Sequence, residues 1–229
     1  MRSGVGSGTG WGMLNVPDRR LALQAYERIL DLIMTGAAKP GTLVNERRLA
    51  DSLAMSRTPV RDALLMLESE GLLIRQGARG LQIRHVKVED FIDVLQIRLL
   101  LEQETARIAA GRVPAEELAA LTARLEALLA AAGRGPTDRD EVRAVDDRLH
   151  GLIADAAGNE QMATIIRNLR RQTQIFDLKS VPERLPGTCR EHLEIVRAVS
   201  DGNGEAAAAA MRVHIEGVRQ SIVARLARI

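Results

Sequence analysis

Residues 56–85 read SRTPVRDALLMLESEGLLIRQGARGLQIRH, and the apolar period changes once within them. Val60, Ala63, Leu64 and Leu67 recur at three and four, the spacing of one helical face, and Gly71 supplies a stop. Pro59 falls in the first turn, where its missing N–H is one the helix could not pair anyway. Beyond Gly71, "LLIRQ" and "LQIRH" alternate about "GARG", which predicts a two-stranded hairpin. Two further helical patterns come first. One places Ala22, Tyr26, Ile29, Leu30 and Ile33 on a face that ends at Gly36. After a "KPGTLV" turn, the other sets Leu49, Ala50 and Leu53 behind Asn45 as a cap. Three helices and a two-stranded wing make a winged helix-turn-helix, expected over 19–86.

That arrangement gives the arginines a role. With Val60, Ala63, Leu64 and Leu67 turned inward, Arg57 and Arg61 share the opposite side at the start of the third helix. In a helix-turn-helix this end enters the major groove, where arginine donates two hydrogen bonds to guanine or clamps a phosphate. Ser56 and Thr58 stand where hydroxyls and helix-start amides meet phosphates. Arg47 in the second helix and Arg79 in the wing tip extend the footprint along the backbone. The plain alternative is a solvated helix face. Charge favours the first reading: residues 19–85 carry a net +4 and residues 86–229 a net −2, a basic front and a slightly acidic back.

Composition narrows the rest. The chain is 46% hydrophobic but 2% aromatic, with long Ala/Leu/Arg/Glu stretches, which predicts a mainly α protein. The single Cys189 excludes an internal disulfide framework and fits a reducing cytoplasm. No apolar run is long enough to cross a bilayer, so no membrane partner is expected. The opening "MRSGVGSGTGWG" reads as the Gly/Ser-rich part of a flexible tail over 1–18.

From residue 87 to 229 the pattern is helical throughout. Six helices are expected at about 89–111, 114–132, 138–157, 160–179, 183–200 and 204–227, and their short connections predict an antiparallel bundle. Of four histidines, His85 ends the wing and is assigned no role, whereas His150, His192 and His214 each lie on an apolar face. Asp146 precedes His150 by one turn on the same stripe. Four polar groups aimed into a core need partners. Each can find its own, or all four can converge on one divalent transition metal, with zinc the first choice and nickel or manganese the alternatives. Such a shell leaves positions open for a ligand. Asn168 faces the same cavity in some helical registers.

"YERILDLIMTGAAKPGTLVNERRLADSLAMSRTPVRDALLMLESEGLL" resembles the DNA-binding domain of the GntR family of bacterial transcription regulators. By that resemblance Arg47, Arg57, Thr58 and Arg61 are DNA contacts, and Arg79 and Gly80 sit where the wing meets the minor groove. Two departures show: Arg48 replaces a usual acid, and Ala54–Met55 replaces a glycine-containing turn. "DDRLHGLIADAAGNE", "REHLEIVRAVSDGN" and "AAAAAMRVHIEGV" are similar to the FCD ligand-sensing domain of the FadR branch, and six helices resemble its VanR-type subgroup. The resemblance implies Asp146, His150, His192 and His214 as metal ligands and a small carboxylate as effector. It also implies Arg98, in "IRLLLE", as a carboxylate contact, against the plain alternative of pairing with Glu102.

The expectation is therefore a cytoplasmic, nucleoid-associated bacterial regulator, with repression the first choice of sign. It would bind a palindromic double-stranded operator as a homodimer. A regulator with a purely structural metal and a metalloenzyme fused to a DNA-binding module are the alternatives. Against an enzyme, no HExxH-like spacing, nucleophile motif or phosphate-binding glycine loop is present.

Overall fold

The computed structural model describes residues 16–85, 87–132, 138–176 and 184–226, which fall into two compact units dividing after His85. Most of the expected tail lies outside the described residues; its last three residues already belong to the first helix.

In the first unit, α1 (Val16–Met34), α2 (Glu46–Leu53) and α3 (Arg57–Ser69) precede β1 (Leu73–Arg75) and β2 (Leu81–Ile83). Asn45 caps α2, accepting from the Arg48 amide at 2.9 Å. The inward stripe of α3 is buried, and α3 packs on α1, which buries Ala22, Ala25, Tyr26, Ile29 and Ile33, and on α2, which buries Ala50 and Leu53. Each large apolar side chain removed from water contributes roughly 1.5–3 kcal/mol, so this stripe fixes which face of α3 is left outside. The strands pair antiparallel, Leu73 opposite Ile83, joined by a 3-10 turn at Gly77–Arg79.

The "KPGTLV" segment does more than turn. Gly41 donates to the Ile83 carbonyl at 2.9 Å, Ile83 to Thr42 at 3.0 Å and Val44 to Leu81 at 2.8 Å, so residues 41–44 lie along the outer edge of β2. An exposed strand edge leaves N–H and C=O groups unpaired, and an extended segment beside it satisfies them.

The second unit holds α4 (Val88–Ala109), α5 (Ala115–Ala131), α6 (Arg139–Ala156), α7 (Glu160–Phe176), α8 (Leu185–Ser200) and α9 (Gly204–Leu226), matching the six expected helices in order. The ends expected between 177 and 183 lie outside the described residues. Helix α4 is central, packing on α6, α7, α8 and α9, while α5 closes the bundle against α6 and α8. Phe91 and Leu95 of α4, Leu121 and Leu125 of α5, Leu149 and Ile153 of α6, and Ile195 of α8 build its core. Every buried charged or polar residue of the described chain lies in this unit, and all but Thr105 gather at one place.

Candidate functional site

That place lies where α4, α6, α7, α8 and α9 present polar side chains to one another. Asp146 and His150 are one turn apart on α6, His192 comes from α8 and His214 from α9. One ligand atom from each lies within 4.8 Å of all the others. Asp146 Oδ1 is 3.4 Å from His192 Nε2 and 3.8 Å from His150 Nε2, and the Nε2 atoms of His192 and His214 face each other at 3.3 Å. Ligand atoms held tetrahedrally about zinc stand roughly 3.3 Å apart, so the four need close only slightly around an ion. Among the described residues, His150 Nε2 is the one buried side-chain nitrogen or oxygen without a hydrogen-bond partner. The residues fit a metal.

The far sides of two of the three rings are held. His150 Nδ1 is hydrogen-bonded to Glu102 Oε2, and Arg98 Nε donates to Glu102 Oε1 at 2.6 Å while its Nη1 donates to Thr173 Oγ1 at 3.1 Å. His214 Nδ1 meets Glu191 Oε2 at 2.9 Å, and Arg184 Nη2 donates to that same oxygen at 3.0 Å. Carboxylates behind histidines fix ring orientation and raise ligand basicity. Arg170 of α7 donates through Nη2 to Asp146 Oδ2 at 2.5 Å and Asp147 Oδ1 at 2.9 Å.

Protonation follows from these neighbours. Burial, reinforced by the Arg170 cation, pushes His150 down to about 4. Burial and then His214 hold His192 well below its ordinary value. For Asp146 burial acts upward, but Arg170 and the three histidines outweigh it and leave the carboxyl well below the usual range. Glu102 is likewise held low, burial being overcome by Arg98 and His150. At neutral pH Asp146 is an anion and His150 and His192 are neutral, the state in which such groups bind metal.

The first unit presents a second cluster. Arg57, Thr58 and Arg61 lie exposed at the start of α3, and Ser56 caps it by backbone position alone, its hydroxyl making no cap bond. Arg47 is exposed on α2 and Arg79 in the wing turn, and Gly80 after it has φ +91°, a conformation that excludes a Cβ.

Comparison with known proteins matches each unit to a family. Residues 21–83 match the family described as bacterial regulatory proteins, gntR family, and residues 93–217 match the FCD domain. The chain belongs to the GntR family, in its FCD-bearing form. Curated relatives include the uncharacterized HTH-type transcriptional regulator YdhC of Bacillus subtilis, 29% identical over 81% of this chain and 83% of the relative. The HTH-type transcriptional repressor RspR of Escherichia coli is 27% identical over 90% of each. Among solved structures, E. coli McbR/YncC superposes with a TM-score of 0.74 at 23% identity, covering 94% of this chain and 99% of that one, which speaks for the fold. This GntR protein is therefore a DNA-binding transcription regulator with an effector-binding FCD domain, and not an enzyme. No helix among the described residues is long and apolar enough to cross a membrane.

Within the FCD unit, Asp146, His150, His192 and His214 come together. Arg98 lies in the wall behind His150, and Asn168 accepts from Arg171 Nη2 at 2.9 Å, with no hydrogen bond to the cluster among the described residues. From α7 it is Arg170 and Thr173 that face inward. Arg170, Glu191 and Glu46 carry no signal in the residue pattern, where Glu102 figures solely as a partner for Arg98. A usable signal existed for Glu102: it falls on the stripe of Phe91, Leu95, Arg98, Thr105 and Ala109, where a charge demands a buried partner.

Proposed function

We propose that this regulator represses transcription from a palindromic operator as a homodimer and answers to a small carboxylate that reaches a metal held by Asp146, His150, His192 and His214. The supporting observation is His150 Nε2, buried without a partner among three other ligand atoms. An ion there would act as a Lewis acid with positions open to a carboxylate oxygen. The protein's own part is to keep the ligands unprotonated and aimed. Glu102 and Glu191 accept the Nδ1 protons of His150 and His214, which leaves the Nε2 lone pair of His150 on the Asp146 side and that of His214 facing His192. Arg98 in this reading steadies Glu102 through Nε and reaches Thr173 through Nη1, and its remaining N–H groups are the contact offered to the carboxylate. On DNA, Arg57 and Arg61 read bases in the major groove, Arg47, Ser56 and Thr58 hold the sugar–phosphate backbone, and Arg79 and Gly80 bring the wing to the minor groove.

The deciding experiment is elemental analysis of untagged, unchelated protein beside His150→Ala/His214→Ala. About one equivalent of a transition metal in the wild type and none in the double variant is the expected result. Metal-free protein that also fails to take up zinc, nickel or manganese would refute the site and remove the chemical basis for a carboxylate effector.

A further inference from the structure

Glu46 is out of place on a surface that meets DNA. It opens α2, and its carboxylate lies between the arginines of α3: Oε1 accepts from Arg57 Nε at 3.1 Å and Arg61 Nη2 at 2.9 Å, and Oε2 from Arg61 Nε at 3.1 Å. A carboxylate near phosphates repels them and opposes the counterion release that drives binding. An acid in the first turn of a helix interacts favourably with the dipole, but that does not require it to reach a second helix. The aim of the two arginines does require it. A guanidinium offers one two-donor fork along its Nε/Nη2 edge and another across its Nη1/Nη2 end. Glu46 engages the Nε side of both, which leaves each Nη1/Nη2 end turned outward. The arginine side chains remain 64% and 58% exposed while that of Glu46 is 25% exposed, so the acid lies beneath and the cations in front. Arginines held this way lose less rotamer freedom when they engage a base.

We infer that Glu46 is a specificity-determining positioning residue: it holds Arg57 and Arg61 by their Nε sides so that both end-on forks face base edges, with guanine O6 and N7 the matching acceptors. It also weakens the same arginines' grip on phosphate of any sequence. Specific binding is thereby raised relative to non-specific binding by one residue that touches neither base nor phosphate. The inference rests on the recognition-helix reading above.

The test uses the full chain and two duplexes of equal length and composition: one enriched from a randomised pool by the wild-type protein, the other its scramble. Affinities are measured by fluorescence anisotropy at fixed salt, with far-UV circular dichroism to confirm folding. Glu46→Gln should tighten the scramble a few-fold, weaken the selected duplex and lower their affinity ratio by about tenfold or more. Glu46→Asp keeps the charge but is one methylene short of spanning both arginines; it should lower the ratio without tightening the scramble. Equal tightening of both duplexes by Glu46→Gln would leave Glu46 a simple repeller of phosphate. An unchanged ratio in both variants would leave it a helix-start residue. Either result overturns the inference alone, provided Arg61→Ala loses the selected duplex. If Arg61→Ala binds that duplex like the wild type, the recognition-helix reading falls and the inference with it.

Discussion

Ala54 carries a backbone conformation that its side chain opposes. It is the one non-glycine residue with positive φ among the described residues, at +53° where α2 ends and the chain turns into α3. Left-handed backbone costs an L residue roughly 1–2 kcal/mol, and glycine recovers most of that while losing part of it to unfolded-chain entropy. Ala54→Gly should therefore stabilise the N-terminal unit by about 0.5–1 kcal/mol, read as a rise in denaturant midpoint at constant slope; a fall would mean the turn relaxes around alanine. Glu102 poses the opposite case, since it neutralises Arg98 and holds His150 at once. Glu102→Gln leaves a buried guanidinium without its counter-charge, and removing one partner of such a pair costs on the order of 3 kcal/mol. Metal affinity should fall some 10–100-fold by competition with a chelating indicator; undiminished affinity would show that His150 needs no support. At this scale the sequence discloses its histidines because imidazole on an apolar stripe is uncommon. Arg170 and Glu46 stay hidden because an arginine or a glutamate on a helix has a default in solvent, and only the packing of α7 on α4 and α6, or of α2 on α3, supplies its partner.

Helices α8 and α9 are tied together beside the proposed ligands they carry. Arg184, at the head of α8, donates through Nε to the Gly217 carbonyl at 3.2 Å and through Nη2 to Glu191, the carboxylate behind His214. A Cβ on Gly217 would stand 2.3 Å from Arg184 Nη2 and 3.1 Å from Glu191 Oε1. The atom in the way is the tip of a flexible side chain, so Gly217→Ala should displace the arginine rather than the helices. Alanine is favoured over glycine inside a helix by about 1 kcal/mol, so melting of the metal-free protein should hold or rise. Metal affinity should drop by roughly tenfold as Glu191 loses its anchor. Stability and affinity moving together would contradict the tether. Elements of this length were legible in the sequence, because apolar residues at three and four, interrupted by glycine and proline, dictate helices with little help from elsewhere. The pairing of residues 41–44 with β2 was not. Four residues carry too little period to announce a strand, and their partner lies forty residues away along the chain.

Each unit has a core of its own, and every proposed metal ligand lies in the second, every proposed DNA contact in the first. A ligand that binds only the native form stabilises what it binds by RT ln(1 + [L]/Kd), about 2.7 kcal/mol at a hundredfold excess over Kd. Calorimetry should accordingly resolve two transitions. Added metal should raise the one that belongs to the FCD unit, and a selected duplex the other. A single transition moved equally by both would mean the two units unfold as one body. Regulation then depends on the coupling between them, which linkage makes reciprocal: whatever factor a carboxylate applies to DNA affinity, DNA must apply to carboxylate affinity. Coupling free energies of this kind run to roughly 1–3 kcal/mol, a 5–150-fold effect. A titration of metal-loaded protein with candidate carboxylates, run with and without the selected duplex, should give dissociation constants that differ by the same factor the carboxylate imposes on DNA release. A carboxylate that shifts DNA affinity equally in metal-free protein would act away from the ion, whereas no shift in either direction would leave the ion a structural part of the bundle.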